Sequence, residues 1–240
     1  MSDSPEFSPT RWSLISAVCS GDSERARPAL EQLCQSYWYP LYAYVRRCGQ
    51  TAENAADLTQ GFFAVLVEKE LLTRADPGRG RLRNFLLTAL QRFLRDDWRA
   101  QQRQKRGGGA VLLSIDEATA EGLYAREPAH VDTPEKLYHR RWALMLLERA
   151  ILGLRDDYVQ QGKGGLFEAL KPALTEDPDA DSAAATGAKL GMTAGAVRVA
   201  VTRLRARYRA RLLEEVAASV DAQTEAEVDD EINALFRAVS

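Results

Sequence analysis

The stretch Ser182–Arg211, SAAATGAKLGMTAGAVRVAVTRLRARYRAR, limits the possible folds most. It reads as two helices joined by a tight turn, the second long and basic. Ala184, Ala185, Ala188 and Leu190 give the first helix a small apolar face. Gly191 ends it, because glycine tolerates the left-handed conformation that a helix end needs. Thr193 is suited to cap the helix that begins at Ala194. Val197, Val201, Leu204 and Tyr208 then recur at helical spacing and predict a buried stripe. Arg198, Thr202, Arg205 and Arg209 repeat that spacing one step round, and Arg203, Arg207 and Arg211 add to that side. No acid interrupts the run from Arg198 to Arg211. A helix that is merely solvated mixes signs to gain i,i+4 pairs. One that is packed on one side and rich in arginine on the other suits the major groove of DNA, where guanidinium groups reach phosphates and guanine edges. The competing reading of such a helix is a solvated or partner-binding face.

The remaining chain also reads as helix. The expected fold class is all-α: two small helical bundles joined by a flexible acidic linker, the second ending in the helix-turn-helix. Residues 1–9 read as disordered, 10–106 as the first bundle, 107–133 as the linker, 134–216 as the second bundle and 217–240 as an acidic extension. Thr10 opens a helix with Trp12, Ile15 and Val18 on one face, and Gly21-Asp22 breaks it. Arg25–Tyr39 carries Leu30, Leu33, Tyr37 and Trp38, and Pro40 predicts a boundary or kink before helix resumes over Leu41–Cys48. The dense aromatics Tyr37, Trp38, Tyr39, Tyr42 and Tyr44 sit at helical spacing among apolar residues and read as core. Glu53–Leu72 is a helix capped by Thr51, with Leu58, Phe62, Val65 and Leu66 inward. Thr73–Gly80 is a loop by its Asp-Pro-Gly chemistry. Leu82–Arg103 follows, with Phe85, Leu86, Leu90, Phe93, Leu94 and Trp98 inward. Its outer side and flanks are basic through Arg79, Arg81, Arg83, Arg92, Arg95, Arg99 and Arg103.

Gly107-Gly108-Gly109 marks the first domain boundary. Beyond it the linker sets Asp116, Glu117, Glu121, Glu127 and Asp132 against Arg126 alone. Thr133-Pro134-Glu135 starts a helix with proline at an early position, and Leu137, Trp142, Met145, Leu146 and Ala150 give its buried face. A net charge of -2 therefore hides two basic clusters and two acidic ones. Cys19, Cys34 and Cys48 are odd in number and match no ligand spacing, so no metal site is expected and reduced thiols in a cytoplasmic protein are the default. No apolar run nears the ~20 residues that span a bilayer, and the start, MSDSPEFSPT, has no secretory pattern. Gly162-Lys163-Gly164-Gly165 lacks the spacing and the Ser/Thr of a phosphate-binding loop, and no residue set reads as catalytic or as holding a cofactor.

Three pieces taken in order, ADLTQGFFAVLVEKELL, GRLRNFLLTALQRFLRDDWRAQQRQKR and LGMTAGAVRVAVTRLRARYRARL, resemble the two-domain extracytoplasmic-function class of bacterial sigma factors in the sigma-70 family. The resemblance covers about Thr10 to Glu215. It implies a promoter-specificity factor whose partners are core RNA polymerase and promoter DNA, with no membrane contact. It further implies that Glu53–Leu72 grips the clamp coiled coil of the largest subunit, through Asp57, Thr59, Gln60 and Phe63, with the polymerase flap as a second contact. Asp76–Asn84 would receive a flipped base. The basic face carrying Arg79, Arg81, Arg83, Asn84, Arg92, Arg95, Trp98, Arg99 and Arg103 would meet and melt the -10 element. Thr193, Ala194, Arg198, Thr202, Arg203, Arg205 and Arg209 would meet the -35 element. The acidic tether would run through the cleft used by template and nascent RNA.

One departure from the family pattern lies in Asn54-Ala55-Ala56-Asp57, where several acids are usual. Thr59, expected near the same rim, would gain charge on phosphorylation. The resemblance to kinase-linked members of the class makes a Ser/Thr kinase, or an anti-sigma factor, the expected regulator. The plain alternative is a helix-surface threonine. The tail fits an inhibitory fold-back on the basic helices, a solvated extension, or a short helix completing the second bundle. The competing function is a stand-alone helix-turn-helix regulator.

Overall fold

A computed structural model describes residues 11–19, 23–68, 72, 81–101, 117–127, 133–177, 179–220 and 225–239. These form ten α-helices: α1 Arg11–Cys19, α2 Ser23–Arg47, α3 Ala52–Glu68, α4 Leu82–Gln101, α5 Glu117–Tyr124, α6 Pro134–Gln160, α7 Gly164–Leu170, α8 Ala180–Leu190, α9 Ala194–Val220 and α10 Glu225–Val239. A 3-10 turn, Lys171–Leu174, follows α7 and absorbs Pro172. The chain is all-α, as its periodicity predicts. It divides into two compact units, Met1–Met145 with Ala217–Ser240, and Leu146–Val216.

The first unit is built on α2, which packs against α1, α3 and α5. No boundary falls at Pro40: α2 runs unbroken with Pro28 and Pro40 both inside it. An interior proline forfeits one backbone hydrogen bond at about 3 kcal/mol. Trp38, Leu41, Tyr42 and Ala43 beside it are 0–1% exposed. Burying large apolar side chains contributes about 1.5–3 kcal/mol each, so packing outweighs the lost bond. Tyr37, Trp38, Tyr42 and Tyr44 are core as expected and Tyr39 is half-buried, with Trp38 and Tyr42 stacked at 4.9 Å. The helix stops at Gly49, whose φ of 93° suits glycine.

On α3 the buried stripe is Ala55, Thr59, Phe62, Phe63 and Leu66. Leu58 and Val65, predicted inward, are half-buried. Thr51 caps the helix, accepting from the Asn54 N–H at 3.2 Å. Among the described side chains of α4, Leu82, Arg83, Leu86, Leu87 and Leu90 are buried, Phe85, Phe93 and Leu94 are half-buried, and Phe93 meets Phe62 at 5.9 Å.

The stretch read as a flexible acidic linker contains α5, and its acids are used inside the first unit. Arg46 donates to both Glu121 oxygens, at 2.6 and 3.0 Å. Tyr42 also donates to Glu121, Tyr39 donates to Glu127 at 2.7 Å, and Glu127 pairs with Arg141. On α6, Glu135 accepts from Tyr44 at 3.2 Å. The Arg46 hydrogen bond holds the Glu121 carboxyl below the usual carboxylate range. The tail does not complete the second bundle, one of the three expectations for it. Its helix, α10, belongs to the first unit, where Glu231 and Leu235 are buried.

In the second unit Leu154 and Tyr158 of α6, Phe167 and Leu170 of α7, Ala173, Ala183 of α8, and Val197, Val201 and Leu204 of α9 form one core. Val197, Val201 and Leu204 of the predicted α9 stripe are therefore buried, and Tyr208 is half-buried against them. The small face of α8 lies one residue away from the expected one: Ala183 and Gly187 are buried, and Ala184, Ala185 and Ala188 are exposed. Asp179 caps α8, accepting from the Ser182 N–H at 2.8 Å. Gly191 adopts φ 65° at its end, and the Met192 N–H donates to the Gly187 carbonyl at 2.9 Å. Thr193 caps α9, accepting from the Ala196 N–H at 3.2 Å.

A Cβ on Gly187 would lie 2.5 Å from the Met192 carbonyl oxygen, whereas one on Gly165 would meet open space. Gly187→Ala is expected to lower unfolding stability by about 1–3 kcal/mol, and Gly165→Ala to change it by no more than about 0.5 kcal/mol, both read by urea unfolding. A second expectation concerns pH. Burial, then the Arg83 charge, push His139 down from 6.5 to about 4, with Arg81 adding to the effect and Glu135 opposing it. Between those values the unfolded chain binds a proton that the folded chain does not. Stability is thus undiminished above about 6.5 and falls as pH drops toward 4. His139→Gln should flatten that slope in urea midpoints taken across the window.

Candidate nucleic-acid interface

The turn from α8 to α9 fixes where the α9 side chains point. Gly191 reverses the chain, Thr193 satisfies a free N–H, and Val197, Val201 and Leu204 bind one side of α9 to the core. The opposite side therefore faces solvent. Arg198, Thr202, Arg203 and Arg209 are exposed there, as is Thr193, while Ala194 is half-buried. The Thr202 hydroxyl donates to the Arg198 carbonyl at 3.0 Å. Val199, 52% exposed, lies among them.

Arg205 and Arg211 do not belong with these. Arg205 donates from Nε to the Ala173 carbonyl at 2.8 Å, from Nη1 to Asp177 at 2.5 Å and from Nη2 to the Glu176 carbonyl at 3.1 Å. Its fork holds the chain just after α7 in place and is not presented for a ligand. Arg211 is bidentate on Asp157, at 2.6 and 3.0 Å, and also donates to Glu214. Sequence periodicity assigned both to the basic side, because Asp177 and Asp157 lie 28 and 54 residues away from them.

Around α4 the expected set also divides. Asn84, Arg92 and Arg95 are exposed. Arg95 donates from Nε to the Gln91 carbonyl at 3.2 Å. Arg83 is 6% exposed, so its assignment to a melting surface is corrected. It lies 3.8 Å over the Trp142 ring and pairs with Glu231. Arg81 is half-buried and meets the same Glu231 at 2.8 Å. Arg79 and Arg103, and the side chains of Trp98 and Arg99, lie outside the described residues, as does the loop at 73–80.

The expected polymerase rim on α3 is corrected too. Asp57 is exposed and Gln60 half-buried, but Thr59 is fully buried and Phe63 is 1% exposed. The Thr59 hydroxyl donates to the Ala55 carbonyl at 2.7 Å and faces the bundle interior. A kinase cannot reach it without opening α3, which removes the reason for reading it as a phosphoryl switch. Thr59→Glu is accordingly expected to destabilise the first unit by about 3 kcal/mol or more, as burial of an unpaired charge does. Thr59→Ser should keep the hydrogen bond and cost less. Urea unfolding of the two variants separates these outcomes.

Among the described residues no group of His, Cys, Asp and Glu side chains could hold a metal ion, and no helix is long and apolar enough to cross a membrane. The chain matches the model of the ECF sigma factor family over residues 12–163. No curated protein and no solved structure matches it. The match covers α1 to the end of α6 and stops before the arginine-rich α9. Proteins of this kind work in the cytoplasm as transcription initiation factors and have no catalytic step of their own. They recruit core RNA polymerase to promoter DNA. With more than half of its length covered, this chain belongs to the ECF sigma factor family and acts as a sigma factor of RNA polymerase.

Proposed function

We propose that the two units divide promoter recognition between them. The second unit binds the -35 duplex through the exposed face of α9, with Arg198, Arg203 and Arg209 on phosphates and base edges and Thr202 between them. The carrying observation is that these three guanidinium groups are exposed on a helix whose other side is core, with no acid between them in sequence. Such a helix fits a major groove. The first unit meets the -10 region through Asn84, Arg92 and Arg95 of α4 and holds the polymerase clamp coiled coil through Asp57 and Gln60 of α3. Leu152 and Val159, about half exposed and two helical turns apart on α6, offer the second unit an apolar contact for the flap. An anti-sigma factor would act by covering these same surfaces.

Phosphate contacts make binding salt-dependent, because each neutralised phosphate releases counterions. Arg198→Ala and Arg203→Ala are each expected to weaken binding of the polymerase complex to promoter duplex and to lower the slope of log affinity against log salt by about 1. Arg205→Ala should act differently, lowering the unfolding midpoint of the chain through the loss of its three hydrogen bonds. In-vitro transcription with core polymerase, run with the salt titration, tests the reading. Binding to duplex with the same affinity whether or not polymerase is present would overturn it in favour of a stand-alone regulator.

A further inference from the structure

The outward side of α9 is not arginine throughout. Successive helical residues turn by about 100°. The buried Val197, Val201 and Leu204 set the inward direction. Gly195, Val199 and Ala206 then lie within about 30° of the line directly opposite, and all three are exposed. Arg198, Thr202 and Arg209 stand to one side of that line and Arg203 to the other. The guanidinium groups therefore flank the outermost line of the helix. The largest side chain on the line itself is Val199, 52% exposed. No acid lies among these residues in sequence.

A single exposed valine needs no explanation by itself. This one lies between cations on both sides, so its partner must carry negative charge at two edges and an apolar group between them. The major groove of a duplex has that pattern. Phosphates run along both edges, and the one apolar substituent on its floor is the C5-methyl group of thymine. A valine side chain is short, so the helix must come close for it to reach a base. Gly195 and Ala206, small and exposed beside it, leave that approach open. Valine is also stiff about its first side-chain torsion in a helix, so little freedom is lost on contact. It offers no hydrogen bond. An exocyclic amine of cytosine or adenine placed against it would lose water and gain no partner.

We propose that Val199 is a specificity-determining residue of the second unit, packed on the C5-methyl group of one thymine in the -35 duplex, with Arg198, Arg203 and Arg209 around it on the DNA. The inference rests on the reading of α9 as the -35 contact. It adds which base chemistry that contact selects. Val199→Ala opens a gap between helix and methyl group. It keeps the fold, because Val199 is no part of the core of the second unit and alanine is a strong helix former.

The experiment uses the full chain assembled with core polymerase. This complex first selects -35 duplexes from random promoter DNA. Each thymine of the selected duplex is then replaced singly by deoxyuridine, which removes the C5-methyl group and leaves every hydrogen-bonding group in place. The parent chain is expected to lose about fourfold in affinity at one thymine, the worth of one buried methyl group. In Val199→Ala the same replacement should cost nothing. The slope of log affinity against log salt for Val199→Ala should match the parent's, unlike those of Arg198→Ala and Arg203→Ala. Its urea midpoint should match as well. Equal uracil penalties for parent and Val199→Ala at every thymine overturn the inference, as does a selected duplex without thymine. Weaker assembly of Val199→Ala with core polymerase in the absence of DNA also overturns it, and assigns the exposed valine to a protein contact. In each of these results the -35 reading survives if Arg198→Ala and Arg203→Ala lower the salt slope. If their slopes match the parent's, both readings fail.

Discussion

The aromatic run of α2 imposes a constraint on everything packed around it. Tyr39, Tyr42 and Tyr44 bring large apolar bodies into the first unit, but each ends in a hydroxyl that must find an acceptor once water is excluded. Carboxylates answer in all three cases: Glu127 for Tyr39, Glu121 for Tyr42 and Glu135 for Tyr44. A carboxylate that accepts from a buried hydroxyl needs its own charge balanced, and Arg46 and Arg141 do so. Burial, reinforced by these acids, holds the Tyr39 and Tyr42 hydroxyls protonated at any physiological pH. The acidic stretch after α4 is therefore recruited into the first unit. Its charges complete a core that begins 80 or so residues earlier in the chain.

That constraint explains which features the sequence displays openly. Helical periodicity reports where apolar surface must go, and it locates α2, α3, α4, α6 and α9 together with the Val197–Leu204 stripe. The caps at Thr51, Thr193 and Gly191 are local chemistry and are legible for the same reason. Pro40 misleads because its cost is local while the compensating burial of Trp38 and Tyr42 is tertiary. Thr59 misleads because a threonine next to an exposed Asp57 looks like surface, although its i−4 hydrogen bond lets it sit inside. The one-residue offset of the α8 face comes from the contact between Gly187 and the Met192 carbonyl, which composition does not reveal.

Charged residues are the least legible, since like residues in one helix serve unlike ends. Arg198 and Arg205 lie seven residues apart on α9, close to one face, yet one is exposed and the other makes three hydrogen bonds to the segment Ala173–Asp177. The difference is set by what stands opposite, and the opposing residue is far away in sequence. For the candidate site this means that an unbroken run of arginines overstates the charge available to DNA. The usable set is the one left after internal acids have taken their share.

In the proposed promoter contact, the same subtraction gives the immobilised arginines a supporting role. A guanidinium on a flexible stem loses rotamer freedom when it grips a phosphate, and a helix that shifts beneath it adds to that loss. Arg205 fastens α9 to the 3-10 turn and Arg211 fastens it to Asp157 of α6, so the helix axis is fixed at two points. Thr193 and Gly191 fix its start. Arg198, Arg203 and Arg209 are thus mounted on a backbone that need not reorganise to bind. The free charge gains precision because its neighbours are spent: the ion-paired arginines hold the helix, and the exposed ones are left for a ligand.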